Sequence, residues 1–196
     1  MAKATSDITV TVLGSGTCVP SLVRGSCSVL VETGGRKWLI DSGAGTLRRL
    51  LEAGTTIAEL SYLFYSHLHP DHTADLVPLL FATKYPDGIT RSEALTIVAG
   101  QGFSDFFQRL KNVYGHWIEL GDDVLRIIEM STGGRDHVRL AGIDIHTAPV
   151  EHSPQSIAFR ITSPAGRHLV YSGDTDMSES LVELARAADL LICESA

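Results

Sequence analysis

A chain of 196 residues, 44% hydrophobic and 20% charged, is long enough for one domain with a sizeable core and has the balance of an ordinary soluble globular protein. Its formal net charge of −7 supplies no global basic face for nucleic acid, no apolar run approaches the roughly 20 residues that cross a bilayer, and Met1 to Asp7 lack the apolar core of a signal peptide, so a cytoplasmic setting without membrane contact is expected. Cys18, Cys27 and Cys193 are few, odd in number and far apart, which reads as free buried thiols rather than a disulfide framework.

The predicted elements begin as strands. Ile8 to Leu13 alternates and stops at Gly14, Ser26 to Glu32 is a second strand, and Gly34-Gly35 turns the chain into Lys37 to Ile40. Gly45 to Ala53 reads as a short helix closed by Gly54, and Tyr62 to Tyr65 as a short buried strand. One helix is expected from about His72 to Lys84, with Pro78 in or near its first turns, and then a strand over Leu95 to Ala99. Phe103, Phe106, Phe107, Leu110 and Tyr114 recur at helical spacing, so Gly102 to Tyr114 is an amphipathic helix whose aromatic stripe faces the core. Segments 124–130, 138–150, 156–163 and 167–171 read as strands, Ser178 to Ala187 as a helix and Leu190 to Cys193 as a last strand. This order predicts an α/β (α+β) fold of two sheets packed on each other with helices outside, a four-layer αββα sandwich in one domain spanning 1–196.

The chemistry concentrates in Ser66-His67-Leu68-His69-Pro70-Asp71-His72, directly after a strand. Imidazole and carboxylate suit zinc, iron or manganese. Alternate positions of an extended loop face one way, so His67 and His69 can grip one ion, while Asp71 and His72 open the next turn towards a second. Elsewhere Gly14-Ser15-Gly16 lacks the third glycine and the following helix of a dinucleotide loop, and Thr17, Val19 and Pro20 are placed at the rim of the site. His116, His137, His146 and His168 fall in no matching motif and read as structural or surface residues.

The H-x-H-x-D-H string resembles the signature of the metallo-β-lactamase superfamily, and the likeness runs along the chain in order. Leu39-Ile40-Asp41-Ser42-Gly43, Glu151-His152-Ser153 and Tyr171-Ser172-Gly173-Asp174-Thr175 resemble its other elements. The resemblance implies two divalent ions, zinc first with manganese or iron as alternatives. His67, His69 and His152 would hold one, Asp71 and His72 the other, and Asp174 would bridge them, with Asp41 orienting a ligand histidine. Three residues keep a plain alternative on their own: Asp41 as a helix cap, His152 as an exposed loop residue, Asp174 as the start of an Asx-turn.

The ribonuclease Z-like branch is the nearest likeness, through Val12-Leu13-Gly14-Ser15-Gly16-Thr17, Val19-Pro20 and Leu190 to Ala196. It implies a hydrolase that uses a metal-bound hydroxide on a phosphodiester or ester, with Asp71 orienting the nucleophile or accepting its proton. His69 stands where iron flavoprotein relatives carry Glu, which favours hydrolysis over electron transfer. Three departures speak against tRNA 3′-processing as in ribonuclease Z, which stays an alternative: the P-x-K-x-R-N stretch lacks its Lys and Asn at Pro20 to Gly25, Gly100 to Ile143 holds a helix and strands in place of a tRNA-gripping arm, and the net charge is negative. A small substrate is therefore expected, of the kinds used by arylsulfatases, lactonases and cyclic-nucleotide phosphodiesterases, and nucleic acid is not favoured. A last histidine loop has no counterpart before Ala196, so the fold reads as C-terminally incomplete and the second metal position as short of a ligand. The remaining alternative is a truncated, weakly active or inactive metal-binding domain that self-associates as a homodimer through its last strand.

Overall fold

The first three strands form an antiparallel meander. In the computed structural model, which describes residues 7–19 and 21–194, they are β1 (Ile8–Gly14), β2 (Ser28–Thr33) and β3 (Arg36–Ile40), in register through Val10, Val31 and Trp38. Gly34 and Gly35 turn β2 into β3 with φ of 58° and 71°, the doubly left-handed two-residue turn whose twist suits a hairpin. Pro20, the residues before Asp7 and residues 195–196 lie outside the described residues, and with them the rim position given to Pro20.

From β3 onward the sheet runs parallel. Helix α1 (Thr46–Glu52) and a 3₁₀ turn (Ile57–Glu59) lead to β4 (Leu60–Tyr65), helices α2 (Pro70–Thr73) and α3 (Leu76–Lys84) to β5 (Leu95–Gly100), and α4 (Phe103–Tyr114) to β6 (Leu125–Met130). The first sheet has the order β1-β2-β3-β4-β5-β6. β5 is buried along its whole length, as expected of a parallel strand covered on both faces. The second sheet, β11-β10-β9-β8-β7, comprises β7 (Asp136–Leu140), β8 (Ile143–Pro149), β9 (Ile157–Thr162), β10 (His168–Tyr171) and β11 (Leu190–Ile192), with α5 (Glu179–Leu184) between the last two.

Three apolar layers make this the expected αββα sandwich. Leu50, Leu76, Leu79, Leu80, Phe103 and Phe107 seal the helices onto one face of the first sheet. Between the sheets, Val31, Trp38, Ile40 and Phe64 meet Ile145, Phe159, Ile161 and Leu169, with Phe64 and Phe159 edge to face at 5.2 Å. Leu181 and Leu184 of α5 cover Ala148, Ala158 and Val170 on the far side.

Three local expectations are corrected. The single helix over 72–84 is two: Asp75 N–H turns aside to Ser42 O at 2.8 Å, and Pro78, without an N–H, cannot bond the carbonyl of Ala74, so helix restarts at Leu76. The strand over 138–150 is a hairpin, because Ala141 and Gly142 take φ of 49° and 84° and fold β7 back on β8. Tyr114 leaves the aromatic stripe of α4 and is 43% exposed at the helix end.

Candidate metal centre

The site forms where the ends of strands from both sheets meet. β4 ends at Tyr65, and the histidine string leaves it at once; Pro70, which has no N–H to lose, opens α2 in the first-turn position that suits proline. His69 O then accepts from His72 N at 3.0 Å and Thr73 N at 3.1 Å, so the turn carries His72 back under the strand end. Ser42 N donates to His72 O at 2.7 Å, and Ile157 N of the second sheet donates to Ser66 O at 2.9 Å. Two glycines permit this crossing. A Cβ on Gly43 would stand 2.0 Å from Asp71 O, and one on Gly173, at φ 61°, would stand 2.6 Å from Ser66 Cβ.

His67 Nε2 and His152 Nε2 each lie 3.0 Å from His69 Nδ1, although His69 and His152 are 83 positions apart. Asp174 Oδ2 is 3.8 Å from both Nε2 atoms. Metal–nitrogen bonds of about 2.0–2.1 Å in a tetrahedron place ligand atoms roughly 3.3 Å apart, so edges of 3.0 to 3.8 Å fit a single zinc-sized ion. A second group of donors, Cys27, His72 and Asp174, lies beside the first, with Asp174 Oδ1 3.1 Å from His72 Nε2. Asp174 thus turns one oxygen to each group.

Hydrogen bonds behind the ligands set which nitrogens face inward. The wholly buried Asp41 carboxylate accepts from Ser66 N, Ser66 Oγ, Tyr171 O–H and His72 Nδ1, each at 2.8 Å. His72 is thereby held with Nε2 towards Asp174. With its proton on Asp41, Ser66 Oγ accepts from His67 Nδ1 at 3.1 Å, leaving the His67 Nε2 lone pair free. Asp41 does not cap α1; Asp75 does, accepting from Gly45 N at 3.2 Å and Leu47 N at 2.9 Å.

The charges follow this frame. Burial, helped by the neighbouring His72, holds His67 down at about 4, so it is a neutral donor at pH 7. Burial also opposes a proton on His72, but its hydrogen bonds to Asp174 and Asp41 outweigh that and raise it far above the usual imidazole range. Carboxylates that favour a proton there favour a metal cation in its place. For Asp174 burial acts upward, yet the hydrogen bond and charge of His72 leave its carboxyl below the ordinary value. Burial, with the Asp41 charge, pushes Tyr171 up, so it stays a hydrogen-bond donor.

Of the residues singled out in the sequence, His67, His69, His152, His72 and Asp174 are brought together, and Asp41 lies directly behind them. Asp71 stands outside both donor groups and lines the adjoining cleft of about 520 Å³ with His72, Asp174, Thr17 and Val19. His137 and His146 stack on each other at 4.5 Å, and His168 bonds Thr162, away from the centre. The buried-thiol expectation is corrected: Cys18 and Cys193 are exposed and Cys27 is half-buried, because all three fall in loops or strand ends rather than inside strands. Sequence reasoning missed Ser66, Tyr171 and Cys27. The first two flank recognised motifs, which was the available signal, whereas nothing local marked Cys27.

Comparison with known proteins places the chain in a family. The family described as anti-Pycsar protein Apyc1 matches residues 8–194. Ribonuclease Z of Mycobacterium bovis (strain BCG / Pasteur 1173P2) is 30% identical over 194 residues, covering 93% of this chain and 68% of the relative. The metallo-beta-lactamase fold protein YhfI from Bacillus subtilis superposes with a TM-score of 0.76 at 24% identity, over 94% of this chain and 69% of that one. Human tRNase Z, short form, does so with a TM-score of 0.74 at 25% identity, over 93% and 75%. Its sandwich, its ordered donor motifs and these likenesses together show that the chain belongs to the Apyc1 family, within the ribonuclease Z-like branch of the metallo-β-lactamase superfamily of metal-dependent hydrolases.

Proposed function

We propose that the chain hydrolyses a small phosphodiester or ester, with a pair of zinc ions as its resident metals. The observation that carries this is the convergence of His67 Nε2, His69 Nδ1, His152 Nε2 and Asp174 Oδ2 within 3.0 to 3.8 Å, from two sheets, with Asp174 also lining the neighbouring cleft. Divalent ions held there would supply Lewis acidity for hydrolysis near neutral pH. His67, His69 and His152 would hold one ion, Asp71 and His72 would serve the second, and Asp174 would be shared between them. Asp71, in the cleft wall beside His72, orients the attacking water or takes its proton. A cleft of about 520 Å³ falls within the roughly 300–1,000 Å³ that small ligands occupy.

The test is hydrolysis of bis-p-nitrophenyl phosphate by chelator-stripped chain before and after zinc is returned. Zinc-dependent turnover is expected, and activity that ignores both chelation and zinc would remove the reading. A second reading, cleavage of precursor tRNA, draws on the ribonuclease Z name of the relatives. It predicts RNA cleavage that falls steeply with salt; the net charge of −7 and the folding of residues 100–143 into α4, a 3₁₀ turn (Gly115–Trp117), β6 and β7 weigh against it. Self-association is proposed through the sheet edge at β11, where Leu190 and Leu191 are each 45% exposed, and sedimentation velocity measures it. Among the described residues no helix is long and apolar enough to cross a membrane.

A further inference from the structure

Beside the second group of donors stands a thiol. Cys27 immediately precedes β2, and its carbonyl accepts from Gly43 N at 3.2 Å, which ties it to the loop that follows Asp41. Its Sγ and one ligand atom each of His72 and Asp174 all lie within 4.8 Å of one another. It is free of any disulfide, is half-buried, and lines the cleft together with those two residues. Cys18 and Cys193 join no comparable donor group among the described residues.

We propose that Cys27 is a metal ligand, its thiolate completing with His72 and Asp174 a sulfur, nitrogen and oxygen face for the second ion. This rests on the reading that the centre holds two divalent ions. The three donors come from three separate places: the entry to β2, helix α2 and the loop after β10. Two of them are oriented before an ion arrives. His72 donates a hydrogen bond from Nδ1 to Asp41 and so presents Nε2, and Asp174 keeps Oδ1 on this side while Oδ2 faces His67 and His152. Sulfur changes which ion is held. A soft thiolate favours zinc or cobalt over manganese or magnesium, whereas the first position, with nitrogen and oxygen donors alone, discriminates less. Sulfur coordinates as thiolate. A thiol merely packed beside an imidazole would leave no sulfur signature on the metal.

Cobalt(II) titrated into the chelator-stripped chain tests this by absorption spectroscopy, because thiolate-bound cobalt adds an intense sulfur-to-metal charge-transfer band in the near ultraviolet and nitrogen or oxygen donors do not. The wild type is expected to take two cobalt ions per chain and show the band. Cys27→Ser should lose the band, keep one tightly bound ion and bind the other at least roughly tenfold more weakly, taking the loss of an outer-shell partner as the lower bound. Cys193→Ser should keep the band. Two bound cobalt ions without the band, or a band that survives Cys27→Ser, overturns the assignment and leaves the metal-centre reading standing. Failure of every chain to bind cobalt overturns that reading and the assignment with it. If circular dichroism shows Cys27→Ser to be unfolded, zinc X-ray absorption of the wild type decides: a sulfur at about 2.3 Å supports the proposal and a shell of nitrogen and oxygen alone refutes it.

Discussion

The buried Asp41 carboxylate takes hydrogen bonds from Ser66 twice, from Tyr171 and from His72, yet it touches no described donor group as a ligand. Asp41→Asn replaces acceptors by an amide N–H₂ that must face groups already donating. Zinc affinity is expected to fall roughly 10- to 100-fold, the usual cost of losing a partner behind a ligand, and zinc titration calorimetry measures it. Asp71→Asn makes the contrasting case. Asp71 lines the cleft outside both donor groups, so turnover should vanish while far-ultraviolet dichroism and the melting temperature stay at wild-type values. Retained activity would remove Asp71 from the reaction. Gly173 acts through space alone: alanine there meets Ser66 and takes a left-handed φ, so destabilisation of roughly 1–3 kcal/mol is expected in a denaturant titration.

At the scale of elements, the route into β4 decides where the histidine string starts. A capping box holds the 3₁₀ turn before it, with Glu59 Oε2 accepting from Thr56 N at 2.7 Å and Glu59 Oε1 from Lys37 Nζ at 2.8 Å. The Lys37 contact, then the Thr56 bonds, lower the Glu59 carboxyl to about 2, from an ordinary value of 4.5. Because the folded value is depressed, this contribution is present in full above about 4.5 and is lost as pH falls through about 2. Glu59→Gln should therefore be less stable than wild type at pH 7, with the gap closing below pH 4.5, as melting at several pH values and low salt will show; a gap independent of pH would contradict it. The same scale shows why some elements were legible and others were not. Gly34-Gly35 and the alternation of β1 announce themselves through local periodicity, and the density of imidazoles over 67–72 announces a centre. Ala141-Gly142 resembles an ordinary strand interior until tertiary pairing turns it, and the break at Asp75 exists because Ser42 offers a competing acceptor. Tyr171, Ser66 and Cys27 became site residues only when folding brought distant segments together, which no single window of sequence contains.

Over the whole molecule, the packing between sheets is what makes a site. His67, His69 and His72 hang from the first sheet, His152 and Asp174 from the second, and the layer of Trp38, Phe64 and Phe159 sets their separation. Phe159→Ala, a substitution in the layer between the sheets, should cost about 3–5 kcal/mol of stability and also weaken zinc binding, since the two halves of the cage lose their common spacer. His152 would close, across the sandwich, an ion cage begun by His67 and His69. Native mass spectrometry of zinc-loaded wild type and His152→Ala tests it most directly. Two zinc ions per wild-type chain and one in the variant are expected; a variant that keeps both, or a folded wild-type chain that holds none, would rule the cage out.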